Sequence, residues 1–217
     1  PYTPSSGSFA LDIVVLSRHL LVAQAVGAAL QRRELAARVI PWEPDQDLKA
    51  RIASADVVFV LDELDTRSAV EAVRDVAADA SPPIVVLTSR PAGRAWGGVL
   101  EAGATAVLSN KTSLDSVEDA IDRIRAGDDL MSKDRHDDLV HAWTELLDEE
   151  HTIEDRLALL SPRESSVLGM LAEGERVQGI ALRLGVSEST VRSQVKSLRR
   201  KLEVDSPVTS PARRIAG

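Results

Sequence analysis

Short β-branched apolar runs punctuate the first 126 residues: DIVVL (12–16), AARVI (36–40), DVVFVL (56–61), PIVVL (83–87) and TAVLS (105–109). Between them lie LLVAQAVGAALQRRE, DQDLKARIAS, TRSAVEAVRDVAADA and RAWGGVLEAG, and SLDSVEDAIDRIRAG follows the last. In these longer stretches the apolar residues recur at helical spacing. Strands that are apolar throughout predict burial on both faces, as in a parallel sheet covered by helices. Parallel neighbours need crossover connections, and these run right-handed. The pattern therefore predicts an α/β fold, a doubly wound five-stranded parallel sheet, over residues 9–126.

From Gly127 the pattern changes. Residues 127–155 hold 11 acidic residues against two basic ones, Lys133 and Arg135. Leu139, Trp143, Leu146 and Leu147 fall on one helical face with Val140 beside them, which predicts an acidic linker helix over 127–158 with Trp143 as a packing anchor. Beyond it Ser161, Pro162 and Glu164 make a capping-box start, followed by the stripe Val167, Leu168 and Leu171. A short helix, VQGIALRLG, ends at Gly185, a residue suited to a left-handed stop. Ser187 then caps a longer helix from Glu188 to about Leu202, with Val191, Val195, Leu198 and Leu202 inside. Its outer face carries Arg192, Ser193, Lys196, Arg199 and Arg200, as in a helix-turn-helix whose second helix enters a major groove. Residues 159–217 are thus expected to be an all-α domain.

Composition narrows the function classes. Hydrophobic residues make up 44% and charged residues 28% of the 217-residue chain, as in globular proteins. No apolar run approaches a membrane span, and PYTPSSGS at the start reads as a flexible leader rather than a secretory signal, so a cytoplasmic setting without membrane attachment is expected. The absence of cysteine excludes disulfides, thiol catalysis and zinc–thiolate sites. The net charge of −8 divides unevenly: residues 161–217 carry +4 and residues 1–160 carry −12. A basic end on an acidic body points to a polyanionic partner for the C-terminal part. No Gly-rich phosphate loop, nucleophile elbow or metal-ligand spacing is present. His19, His136, His141 and His151 form no catalytic constellation, so no enzyme activity and no cofactor are expected.

The stretch LSPRESSVLGMLAEGERVQGIALRLGVSESTVRSQVKSLRRKLEV (160–204) resembles the LuxR-type DNA-binding domain in LSPRE, VL..LAEG, IA.RLGVSE.TV and LRRKL.V, in order and spacing. The resemblance implies that Arg192, Ser193 and Lys196 face base edges, and that Thr190, Gln194 and Arg200 meet phosphates. Two departures stand out. Val177, Gln178 and Gly179 replace the usual polar residues before IA, and Pro207 and Pro211 interrupt the region where the family has a fourth, dimerising helix.

With that domain identified, the α/β half resembles a receiver domain, and the chain as a whole a NarL/FixJ-type response regulator of a two-component system. Such receivers hold Mg²⁺ with acids after the first strand and phosphorylate an Asp ending the third. They read the phosphate with a hydroxyl after the fourth strand and a Lys after the fifth. Here Ser17 and Arg18 replace the acidic pair, while His19 is retained. The phosphoacceptor spacing falls on Leu61, with Asp62 one place late; Thr88 matches the hydroxyl. Val107 stands at the switch aromatic and Asn110 at the Lys, with Lys111 one place late. A one-residue bulge would restore Asp62 or Lys111 to register, but not the missing acids. Arg18, alone or with Lys111, either pairs with Asp62 in the metal's place or points to solvent.

The resemblances together imply an atypical response regulator: a transcription regulator, homodimeric on double-stranded DNA, whose receiver is not switched by Mg²⁺-dependent aspartyl phosphorylation. Two alternatives are a conventional regulator with Asp62 as acceptor, and one gated by a small-molecule ligand or a partner protein at the receiver pocket.

Overall fold

The computed structural model describes residues 11–43, 48–78, 80–111 and 113–202. Pro207 and Pro211 lie outside the described residues, as do the first residues of the chain. The chain divides into two compact units between Leu146 and Leu147.

In the first unit the strands are β1 (Ile13–Ser17), β2 (Ala37–Pro41), β3 (Val57–Leu61), β4 (Ile84–Thr88) and β5 (Ala106–Ser109), each within a residue of its expected position. They form one parallel sheet in the order β2-β1-β3-β4-β5, so the fold class read from the pattern is correct. The helices are α1 (Leu20–Gln31), α2 (Leu48–Ile52), α3 (Arg67–Ala77), α4 (Arg94–Glu101) and α5 (Leu114–Ala126). Strand residues alternate between faces. Ile13, Val15, Val57, Phe59, Val85 and Leu87 share one cluster with Ala23 and Leu30 of α1 and Val117 and Ile121 of α5. Val14, Leu16, Val58, Val60, Ile84 and Val86, on the opposite face, are equally buried, which is why these strands are apolar throughout.

Helix α6 (Lys133–Ala158) crosses the division between the units. Its first half lies close against α4, where Gly97 and Gly98 leave room for it. A Cβ at Gly97 would overlap the Leu139 carbonyl, and one at Gly98 would sit 3.0 Å from the Trp143 ring. Trp143 is 5% exposed, and the Arg74 guanidinium lies 5.4 Å from its ring centroid. Arg74 also donates to the Gly98 carbonyl (2.5 Å) and pairs with Glu101 (2.6 Å).

The second unit contains α7 (Pro162–Ala172), α8 (Val177–Leu184) and α9 (Glu188–Lys201). Val167, Ile180, Ala181, Val191 and Leu198 form its centre. The start of α7 is a capping box: the Ser161 hydroxyl accepts from the Glu164 N–H, and the Glu164 carboxylate accepts from the Ser161 N–H (2.8 Å). That carboxylate also accepts from Ser197 (2.8 Å) and Lys201 (2.7 Å) of α9, which ties the two helices together. No helix among the described residues is long and apolar enough to cross a membrane.

Candidate functional site

The turn between α8 and α9 is set locally. Gly185 adopts φ 64°, in the left-handed region where an L side chain is strained, and so stops α8. The Ser187 hydroxyl then caps α9 by accepting from the Thr190 N–H. Burial of Val191 and Leu198 orients α9 so that Arg192, Ser193, Lys196, Arg199 and Arg200 are exposed. These five residues, with Val177 from α8, line a shallow concavity along the helix. Arg192 is held by Glu188 one turn earlier (2.6 Å). Thr190 is exposed and shares its hydroxyl with Ser187 (2.8 Å). Gln194 is half-buried, with its Oε1 enclosed and without a protein partner, so it is oriented differently from the exposed cations.

Glycine at 179 is not demanded by packing, since the nearest atom to a Cβ there is Glu175 Oε2 at 3.7 Å. Helix α8 also begins without a side-chain cap, because Arg176 offers no acceptor for the free N–H groups. Glu175 instead pairs with Arg183 near the end of α8.

At the carboxyl edge of the sheet, Ser17 is 2% exposed; its Oγ donates to the Leu61 carbonyl (3.1 Å) and accepts the His19 N–H (3.0 Å). The hydroxyl thus closes the end of β1 on β3. Pairing of β1 with β3 runs without interruption to Ser17–Leu61, and that of β4 with β5 to Thr88–Ser109. Neither β3 nor β5 has the bulge that would move Asp62 or Lys111 back by one place. Asp62 follows the strand end, with its N–H donating to the Leu87 carbonyl (3.2 Å). Its Oδ1 accepts from the Leu64 N–H (2.8 Å), which holds Leu64 at φ 52°. Burial raises the Asp62 carboxyl above the ordinary aspartate range, opposed by the Leu64 hydrogen bond and by the charge of Arg18.

Arg18 does not bond Asp62. Its guanidinium lies over the Trp42 ring, 4.6 Å from the centroid, at the end of β2. A flat cation on an aromatic face keeps part of its hydration, whereas an ion pair with a half-buried carboxylate would give up more. Lys111 is exposed, and Thr88 is fully buried with its hydroxyl accepting from the Arg90 N–H (3.2 Å). Ser17, Asp62 and Asn110 line one cavity; Arg18, Thr88 and Lys111 do not.

Glu63 has a role that the sequence did not signal. Its carboxylate accepts from the N–H and hydroxyl of Ser89 and from the Asn110 amide (3.4 Å), joining the ends of β3, β4 and β5. Trp42 was equally unsignalled, although a lone aromatic at the end of a strand, one strand away from a displaced Arg, could have drawn attention.

Fold and surface together define a receiver-like α/β unit joined to a helix-turn-helix unit whose second helix is basic outside. Residues 158–210 match the model for bacterial regulatory proteins of the luxR family, and the C-terminal helices are a domain of that family. The chain is also homologous to response regulators. It is 31% identical to the nitrate/nitrite response regulator protein homolog of Haemophilus influenzae over 127 residues, 58% of this chain and 57% of that protein, so the match takes in little more than half of that relative. Its identity to the transcriptional regulatory protein YdfI of Bacillus subtilis is 23% over 197 residues, 89% of this chain and 90% of that one. Among solved structures, the RcsB response regulator of Salmonella typhimurium aligns with 91% of this chain and 94% of its own, at 21% identity and a TM-score of 0.44.

Proposed function

We propose that this protein is a cytoplasmic transcription regulator, without enzyme activity, that binds double-stranded DNA as a homodimer through α8 and α9. The observation that carries the reading is the exposed cationic face of α9 beyond a capped turn, within the segment that matches the luxR family. Arg192, Ser193 and Lys196 face base edges in the major groove, while Thr190, Arg200 and the half-buried Gln194 meet the phosphate backbone. The domain division is 9–126 for the receiver-like domain, 127–158 for the helical linker and 159–217 for the DNA-binding domain. The test is fluorescence anisotropy on an operator selected from random duplexes. Lys196→Glu is expected to weaken binding at least tenfold and to flatten its dependence on salt. Unchanged affinity would refute the groove assignment.

The receiver-like domain works without Mg²⁺-dependent aspartyl phosphorylation. Mg²⁺ requires hard oxygen ligands in near-octahedral geometry. At the carboxyl edge the Ser17 hydroxyl is committed to Leu61 and His19, and Asp62 is committed through one oxygen to Leu64. Arg18 stands where a second acid would be required, so the residues present do not fit the ion. The competing reading, a conventional regulator with Asp62 as acceptor, draws on the place of Asp62 beside the end of β3. Incubation with acetyl phosphate and Mg²⁺ followed by intact mass separates the two. No added phosphate is expected, and a phosphate on Asp62 would overturn the reading.

A further inference from the structure

Between α1, α5 and the carboxyl ends of the strands lies a cavity of about 410 Å³. Its apolar wall comes from Val22, Ala25, Val26 and Ala29, which recur on one face of α1, opposite Leu114 and Val117 of α5. Small side chains on the α1 face leave space beside α5 unfilled, while Arg33 just beyond α1 spans to Asp115 and Glu118 of α5 (both 2.8 Å). The volume falls in the range of about 300–1,000 Å³ typical of small-molecule sites, which combine apolar walls with a few convergent polar groups.

The polar rim carries two carboxylates, Asp62 and Glu63, beside Ser17, His19, Ser109 and Asn110; among the described residues no Lys or Arg lines it. Glu63 is engaged by Ser89 and Asn110, but the only hydrogen bond to Asp62 among the described residues reaches one of its oxygens. Strand order explains the missing cation. Trp42 follows β2, on the outer side of β1, and Arg18 stacks there, whereas the cavity opens on the side of β3 and β5. Trp42 therefore keeps the Arg18 guanidinium from bonding at the rim, although its charge still reaches Asp62, and leaves a half-buried carboxylate with one oxygen free of such bonds above an apolar, partly open cavity.

We propose that this cavity binds a small amphipathic organic ammonium, its apolar body between α1 and α5 and its N–H donors on the free oxygen of Asp62. The proposal rests on the reading that the carboxyl edge holds no Mg²⁺, but its binding assay is independent of the phosphodonor experiment, so either can fail alone. Glu63 adds to the potential that favours a cation, and Asn110 and Ser109 offer further polar contacts at the same rim.

The experiment is isothermal titration calorimetry on the full chain with three matched probes: phenethylamine, 2-phenylethanol and 3-phenylpropanoate. Phenethylamine is expected to bind with a Kd of about 1 mM or below, and the alcohol and the acid at least about tenfold more weakly. Asp62→Asn is expected to abolish the preference for the ammonium. Ala25→Leu, a change at an exposed position of α1 that fills the cavity, is expected to abolish binding of all three while circular dichroism shows an intact fold. The proposal is overturned if none of the probes binds, if the alcohol or the acid binds as tightly as the amine, if Asp62→Asn keeps the preference, or if folded Ala25→Leu binds normally.

Discussion

Replacing Trp143 with alanine tests how α6 is anchored to the α/β unit. The indole is 5% exposed, its ring faces Gly98, and Arg74 lies over it with the centroid 5.4 Å away. Truncating a buried Trp costs roughly 3–5 kcal/mol, because apolar surface is lost and a cavity remains. Loss of the cation–π contact adds about 0.5–1 kcal/mol. An opposing contribution comes from the Trp143 Nε1–H, which is buried without a protein partner, so its removal returns about 1–3 kcal/mol. The central values of these contributions give an expected loss of about 3 kcal/mol in the transition of the first unit, measured by urea denaturation of the full chain followed by far-UV circular dichroism. Trp143→Phe separates the contributions: it keeps an aromatic ring against Gly98 and removes the unpaired donor, so it should lie within about 1 kcal/mol of the parent protein. A loss below about 1 kcal/mol for the alanine variant, or equal losses for the two variants, would refute the packing argument.

Glycine positions offer a matched contrast. Gly97→Ala should destabilise the first unit because its Cβ would overlap the Leu139 carbonyl, whereas Gly179→Ala has room and should stabilise α8 by about 0.5–1 kcal/mol, both read by chemical denaturation. The Glu164 carboxyl is lowered to about 2, chiefly by the Lys201 hydrogen bond and then by those from Ser161 and Ser197. A lowered folded-state pKa means stability that is present above the unfolded value of about 4.3 and is lost as pH falls toward 2; Glu164→Gln should therefore lower Tm at neutral pH and flatten the acid limb of a Tm–pH profile. Asp62 has the opposite sign. Burial raises its folded pKa, so it favours folding less as pH rises through the ordinary aspartate range, and Asp62→Asn should raise the Tm of the first unit at pH 7. A lowered Tm would show that the charge of Asp62 is needed for folding.

Much of the architecture was legible because its signals are local. Residue choice within a strand reports how many faces are buried, and all five strands fell within a residue of the pattern. Capping is also local: Ser161, Gly185 and Ser187 marked helix boundaries because a hydroxyl acceptor or a positive φ is needed at those positions whatever packs nearby. The lack of an acidic pair at Ser17 and Arg18 was likewise plain from residue identity.

The tertiary structure decided what lies between elements far apart in sequence. Sequence alone left Arg18 either paired with Asp62 or directed to solvent. Strand order placed Trp42 beside it, and the guanidinium stacks there instead. Gly97 and Gly98 lie in a stretch whose pattern predicted only a helix, but they are the places where α6 comes close to α4. Glu63 carried no signal, yet it joins three strand ends. The cavity beside α1 arises because small residues there face α5, almost a hundred positions away. Periodicity and capping depend on neighbours along the chain, so the sequence by itself determined the elements and their order. Pairing of charges, close backbone approach and the open cavity beside α1 depend on neighbours in space, and only the packed sheet and helices decided those.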